Sequence, residues 1–75
     1  MRSARLQSLV KIYENMKPKD AARIFDQLDM DVLLDVVERM KEARVAPILA
    51  LVNPQRAQDI TIQLAERRKL PIAKQ

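Results

Sequence analysis

Four aspartates crowd one short stretch of this chain: Asp26, Asp29, Asp31 and Asp35. They are the one constellation whose type and spacing could hold a metal, because hard cations such as Mg²⁺ take oxygen ligands. Mg²⁺ also keeps several waters and needs few protein ligands, so the acids read first as a solvated polar helix face with no metal site, and a cation site is the weaker alternative. Other chemistry is largely closed off. The 75 residues contain no His and no Cys, hence no imidazole base, thiol nucleophile, zinc site or iron–sulfur site. Apart from Tyr13, the side-chain hydroxyls are Ser3, Ser8 and Thr61, and none lies in a nucleophile motif. Without a single Gly, every phosphate-cradling loop that needs one is excluded, the P-loop and the dinucleotide fingerprint among them. The reading is a non-enzymatic chain with no catalytic residue and no cofactor.

The acids lie in MKPKDAARIFDQLDMDVLLDVVERM, Met16 to Met40. This stretch reads as two amphipathic helices joined by about two residues, a hairpin that packs nearly antiparallel. Pro18 opens the first helix, where its missing N–H costs nothing, and Asp20 complements the positive end of that helix. Ala21, Ile24, Phe25 and Leu28 share one face of it. Asp29 is the expected N-cap of the second helix, whose inner face is Val32, Leu33, Val36, Val37 and Met40. Neither apolar face can be buried by the hairpin alone.

The rest of the chain supplies cover. Residues 1–16 form a first helix in which Leu6, Leu9, Tyr13 and Met16 follow the three-four-three rhythm of a coiled coil, with Val10 and Ile12 as apolar flank. Either it covers the domain core or it ends a longer coiled coil, which would make the protein a homodimer. Lys41 to Val52 gives a helix with Val45, Ile48, Leu49 and Val52 inside, starting late or bending at Pro47. Asn53 and Pro54 then form the strongest helix start, with Ala57, Ile60, Thr61 and Leu64 facing inward. Arg67, Arg68 and Lys69 suit that helix's C-terminus, Pro71 stops it, and residues 71–75 are expected to be a flexible tail. Residues 17–70 are the domain proper. The fold expected is all-α, about five short helices.

An offset of 36 residues aligns Pro18 with Pro54, Ala21 with Ala57, Ile24 with Ile60, Gln27 with Gln63 and Leu28 with Leu64. Such a repeat points to a right-handed stack of helical hairpins, each burying its open face on the next. A plain five-helix bundle is the alternative. No stretch approaches the roughly 20 apolar residues of a membrane span. MRSARLQSLV also lacks the apolar core of a secretory signal.

The cadence KP..AARIFDQLD.DVLLDVVERM followed by KEARVAPILALVNPQRAQDIT resembles the intracellular N-terminal domain of MgtE magnesium transporters, a superhelix of short helices also similar to parts of the flagellar switch protein FliG. Within that group it looks most like the MotE-type flagellar proteins. The resemblance spans about Leu9 to Leu70. It implies a periplasmic chaperone that stabilises the motor protein MotC, with a signal sequence and a coiled coil upstream. The alternative it implies is a cytosolic magnesium-sensing regulatory domain of an MgtE-type transporter. It brings no catalytic residues.

Charge and exposure give an independent guide to surfaces. From Asp20 to Glu42 there are seven acids against three bases, a local net of −4 in a chain of +4, so the remainder carries +8. Acidic central helices repel phosphate and argue against nucleic acid despite a pI near 9.9. A groove-forming protein-binding module is left, in which Ile24, Leu34, Leu51 and Ile62 lie off the main stripes. Either neighbouring helices bury them or, exposed together, they mark a partner interface.

Overall fold

The structure is a computed structural model that describes residues 2–68; the expected tail at 71–75 lies outside that range. Five helices follow one another: α1 (Arg2–Asn15), α2 (Pro18–Phe25), α3 (Met30–Arg39), α4 (Glu42–Leu49) and α5 (Pro54–Arg68). The fold is all-α, and no strand occurs among the described residues.

Local chemistry sets the helix starts. Lys17 precedes α2 in extended backbone, Pro18 takes the first turn, and Asp20 pairs with Arg23 at 2.7 Å. Asp29 caps α3 by accepting from the Asp31 N–H at 3.1 Å. Asn53 caps α5 by accepting from Gln55 at 2.9 Å and Arg56 at 3.4 Å. Helix α4 begins at Glu42 and runs through Pro47. The carbonyl that Pro47 leaves unpaired belongs to Ala43, an exposed residue of the first turn, so water can serve it.

The central stretch is not a close-packed hairpin. Four residues, Asp26 to Asp29, join α2 to α3, and the closest backbone approaches run between alternate helices: α1 with α3, α2 with α4, α3 with α5. The longer helices α1, α3 and α5 thus make one row and the short helices α2 and α4 a second.

This arrangement repeats every 24 residues rather than every 36. The backbone at Lys17 (φ −65°, ψ 138°) recurs at Lys41 (φ −67°, ψ 138°), and the end of α2 at Asp26 recurs at Ala50. The Asp29 cap recurs at Asn53. Residues 6–29 and 30–53 share Leu9/Leu33, Glu14/Glu38, Met16/Met40, Lys17/Lys41, Ala22/Ala46 and Ile24/Ile48. The offset of 36 had paired a short helix, α2, with a long one, α5, and the two lie in different rows.

Position in the row decides which faces are buried. The middle helix α3 has neighbours on both sides and buries Leu33, Leu34, Val36 and Val37. Helix α1 has only α3 and buries Val10, with Tyr13 packed behind it, the equivalents of Leu34 and Val37. Helix α5 buries Ile60, with Ala57 partly covered, the equivalents of Val36 and Leu33. Tyr13 meets Phe25 edge to face at 5.4 Å, fastening α1 to α2.

Three inner-face expectations are corrected by this geometry. Thr61 is exposed, at the position where α3 carries Val37. Val32 is 42% exposed and Leu34 takes its place in the core. On α2, Ala22 is buried and Ile24 is not.

Candidate interaction surface

Helix ends and inter-helix ties occupy the polar groups that sequence had offered for chemistry. Asp26 accepts from the Asn53 N–H at 2.9 Å, holding the end of α2 to the start of α5. Asp29 is spent on its own cap. Asp35 pairs with Arg67, which also reaches Glu38 at 3.6 Å, so the acidic α3 is matched by the basic end of α5. Asp26, Asp29 and Asp35 therefore face different partners. Among the described residues no group of three acids is placed to hold a metal ion.

Arg56 was not singled out by sequence. Its guanidinium donates from Nε to the Phe25 carbonyl at 3.0 Å and from a terminal nitrogen to the Leu28 carbonyl. A cation at the negative end of α2 is thereby locked in, and α5 is fixed against the α2–α3 connection. An Arg in the first turn of a helix, where cations are disfavoured, was the available signal.

Of the four residues proposed to touch a partner, the structure exposes three. Ile24 is 37% exposed, Leu51 55% and Ile62 54%. Leu34 is 2% exposed, held in the middle of the α1–α3–α5 row, and is unavailable to any partner without unfolding. Leu6, Tyr13 and Met16 of the coiled-coil rhythm pack on the core, while Leu9, 36% exposed, does not. Helix α1 turns Leu6, Val10 and Tyr13 inward, leaving Leu9 and Ile12 (51% exposed) on the surface.

These apolar side chains fall on distinct sides. Leu9, Ile12 and Ile24 are the 24-residue equivalents of Leu33, Val36 and Ile48, which are 0%, 0% and 2% exposed. In the second unit those three residues face the first; in the first unit the same positions face outward. An open depression lined by Arg23, Ile24, Gln27 and Leu28 lies on this face. At the other end a depression between α3, α4 and α5 is lined by Val37, Met40, Val45, Leu49 and Leu64.

Repeated helix pairs, punctuated by Pro and Asx caps and stacked in two rows, agree with what comparison finds. A family model for the MgtE intracellular N domain matches residues 3–65. The chain belongs to that family. Comparison with curated proteins and with solved structures finds no match. Among the described residues, no helix of this MgtE N domain is long and apolar enough to cross a membrane.

Proposed function

We propose that this MgtE N domain is a non-enzymatic protein-interaction module whose partner is held by exposed apolar side chains. The observation that carries the reading is the surface itself. Leu9, Ile12, Ile24, Leu51 and Ile62 are all more than a third exposed in a small domain whose core is already filled by Phe25, Leu33, Leu34, Ile48 and Ile60. Asp26, Asp29 and Asp35, by contrast, are engaged in an inter-helix tie, a cap and an ion pair, which weighs against a cation site at Asp26, Asp29, Asp31 and Asp35.

In its specific form the module is the C-terminal domain of a periplasmic flagellar chaperone that stabilises MotC. That form rests on the likeness of KP..AARIFDQLD and the following helices to MotE-type proteins. The family match supports equally a magnesium-responsive regulatory domain on the cytosolic side of a transporter. Fractionation and protease accessibility of the full-length protein in spheroplasts separate the two. A periplasmic product, together with loss of MotC in a deletion strain, is the result expected of the chaperone. A cytosolic product overturns it, and Mg²⁺ titration followed by the amide shifts of Asp26, Asp29, Asp31 and Asp35 then tests the second reading.

A further inference from the structure

We propose that the face formed by Leu9, Ile12 and Ile24 is a docking site for an acidic amphipathic helix of a different protein, which adds itself to the stack as a preceding unit. The inference rests on the interaction-module reading and specifies where the partner sits and what it must look like.

The chain contains a template of its own occupant. The second unit presents Leu33, Val36 and Ile48 to the first, and all three are at most 2% exposed. What covers them comes from α1 and α2. Val10 and Tyr13 stand three apart on α1, and Glu14 follows at once. The Glu14 carboxylate accepts from the Lys41 N–H at 2.8 Å, at the start of α4. The first unit carries the same receiving surface one repeat earlier. Leu9, Ile12 and Ile24 replace Leu33, Val36 and Ile48 and are 36%, 51% and 37% exposed. Lys17 replaces Lys41 in the same backbone conformation, and among the described residues nothing accepts from its N–H. A helix carrying two apolar residues three apart and an acid immediately after would repeat both contacts.

Charge selects the class of partner. Exposed Arg5 lies one turn from Leu9 on α1 and exposed Lys17 carries that unaccepted N–H at the start of α2, whereas Asp20 is paired with Arg23. Two copies meeting through this face would bring like charges together. Head-to-tail stacking fares no better: α5 carries Gln58, Thr61 and Ile62 where α1 carries Val10, Tyr13 and Glu14. That end of the stack offers neither the apolar pair nor the acid. A separate acidic helix satisfies both requirements.

The test titrates the full chain with a fluorescent designed peptide, an Ala/Glu-rich helix bearing Val-x-x-Tyr-Glu. A control peptide bears Gln-x-x-Thr-Ile at the same positions. The first peptide is expected to bind at least tenfold more tightly than the control, with the Lys17 amide among the most shifted in NMR spectra. Leu9→Glu/Ile12→Glu, and separately Ile24→Glu, should weaken binding at least tenfold while circular dichroism and melting stay near wild type. Gln63→Glu, at an exposed position of α5, should bind normally. Equal binding of the two peptides, binding indifferent to the Leu9, Ile12 and Ile24 changes, or binding to anionic phosphatidylglycerol vesicles in place of the peptide would overturn the proposal. Photo-crosslinkers placed in the full-length protein in cells separate this face from the wider reading. Adducts from position 51 or 62 with none from 9, 12 or 24 overturn the docking face and leave the module standing; adducts from no position overturn the module itself.

Discussion

Arg56 shows how much of this small domain can depend on one side chain. Its guanidinium satisfies two carbonyls, those of Phe25 and Leu28, from partly buried ground, so its loss leaves acceptors unpaired as well as a charge removed. Arg56→Ala should cost about 1–3 kcal/mol, read as a fall in melting temperature. Arg56→Lys should recover little of it, because an ammonium cannot present the planar fork that spans both carbonyls. A full rescue by Lys would show that charge alone matters. Leu34 and Leu51 make the complementary point. Both are leucines set beside the obvious helical stripes, yet one is 2% exposed and the other 55%. Leu34→Ala should destabilise by about 2–5 kcal/mol, whereas Leu51→Glu should stay within about 0.5 kcal/mol of wild type by urea denaturation. Comparable losses from the two would mean that Leu51 is covered in the folded chain.

At the level of helices, punctuation carries the architecture. The caps at Asp29 and Asn53 each satisfy N–H groups that no intrahelical bond can reach. Asp29→Ala and Asn53→Ala should each cost about 1 kcal/mol, and hydrogen exchange should quicken first in the capped helix, α3 or α5 respectively. These starts were legible in sequence because Pro, Asp and Asn act through their own backbone neighbours. Inward faces were less legible, since they depend on how many helices flank each one. Helix α1 needed its Leu6, Val10 and Tyr13 side for α3, so of the coiled-coil rhythm only Leu9 is left off the core. The 36-residue offset erred for a related reason: Pro18 and Pro54 both begin helices, but helices of different rows. Leu9/Leu33, Met16/Met40 and Ile24/Ile48 carried the 24-residue period all along, yet a conservative pair such as Val10/Leu34 counts as a mismatch until a structure shows both buried. Arg56 escaped because its acceptors are main-chain carbonyls far away in sequence, which residue type does not reveal.

Taken whole, the described residues are two units of a helical stack plus the first helix of the next, with two unlike ends. The first unit ends in apolar Leu9, Ile12 and Ile24; the last helix ends in Gln58 and Thr61, at the positions where α3 buries Leu34 and Val37. A stack whose ends were complementary would join head to tail, and such heterologous contacts grow into open filaments when they do not close. Polar residues on α5 withhold the complementary apolar pair from the Leu9, Ile12 and Ile24 side chains of the first unit. Giving α5 the outward face of α3 reverses the situation. Gln58→Leu/Thr61→Val/Ile62→Glu would restore the apolar pair and the acid that α1 and α3 both possess. Sedimentation velocity should then show oligomers that grow with concentration, and adding Leu9→Glu/Ile12→Glu to the same chain should return it to a monomer. A triple variant that stays monomeric at every concentration would mean that the exposed face of α1 does not receive a stacked helix, and that the polar residues of α5 are not what limits the stack.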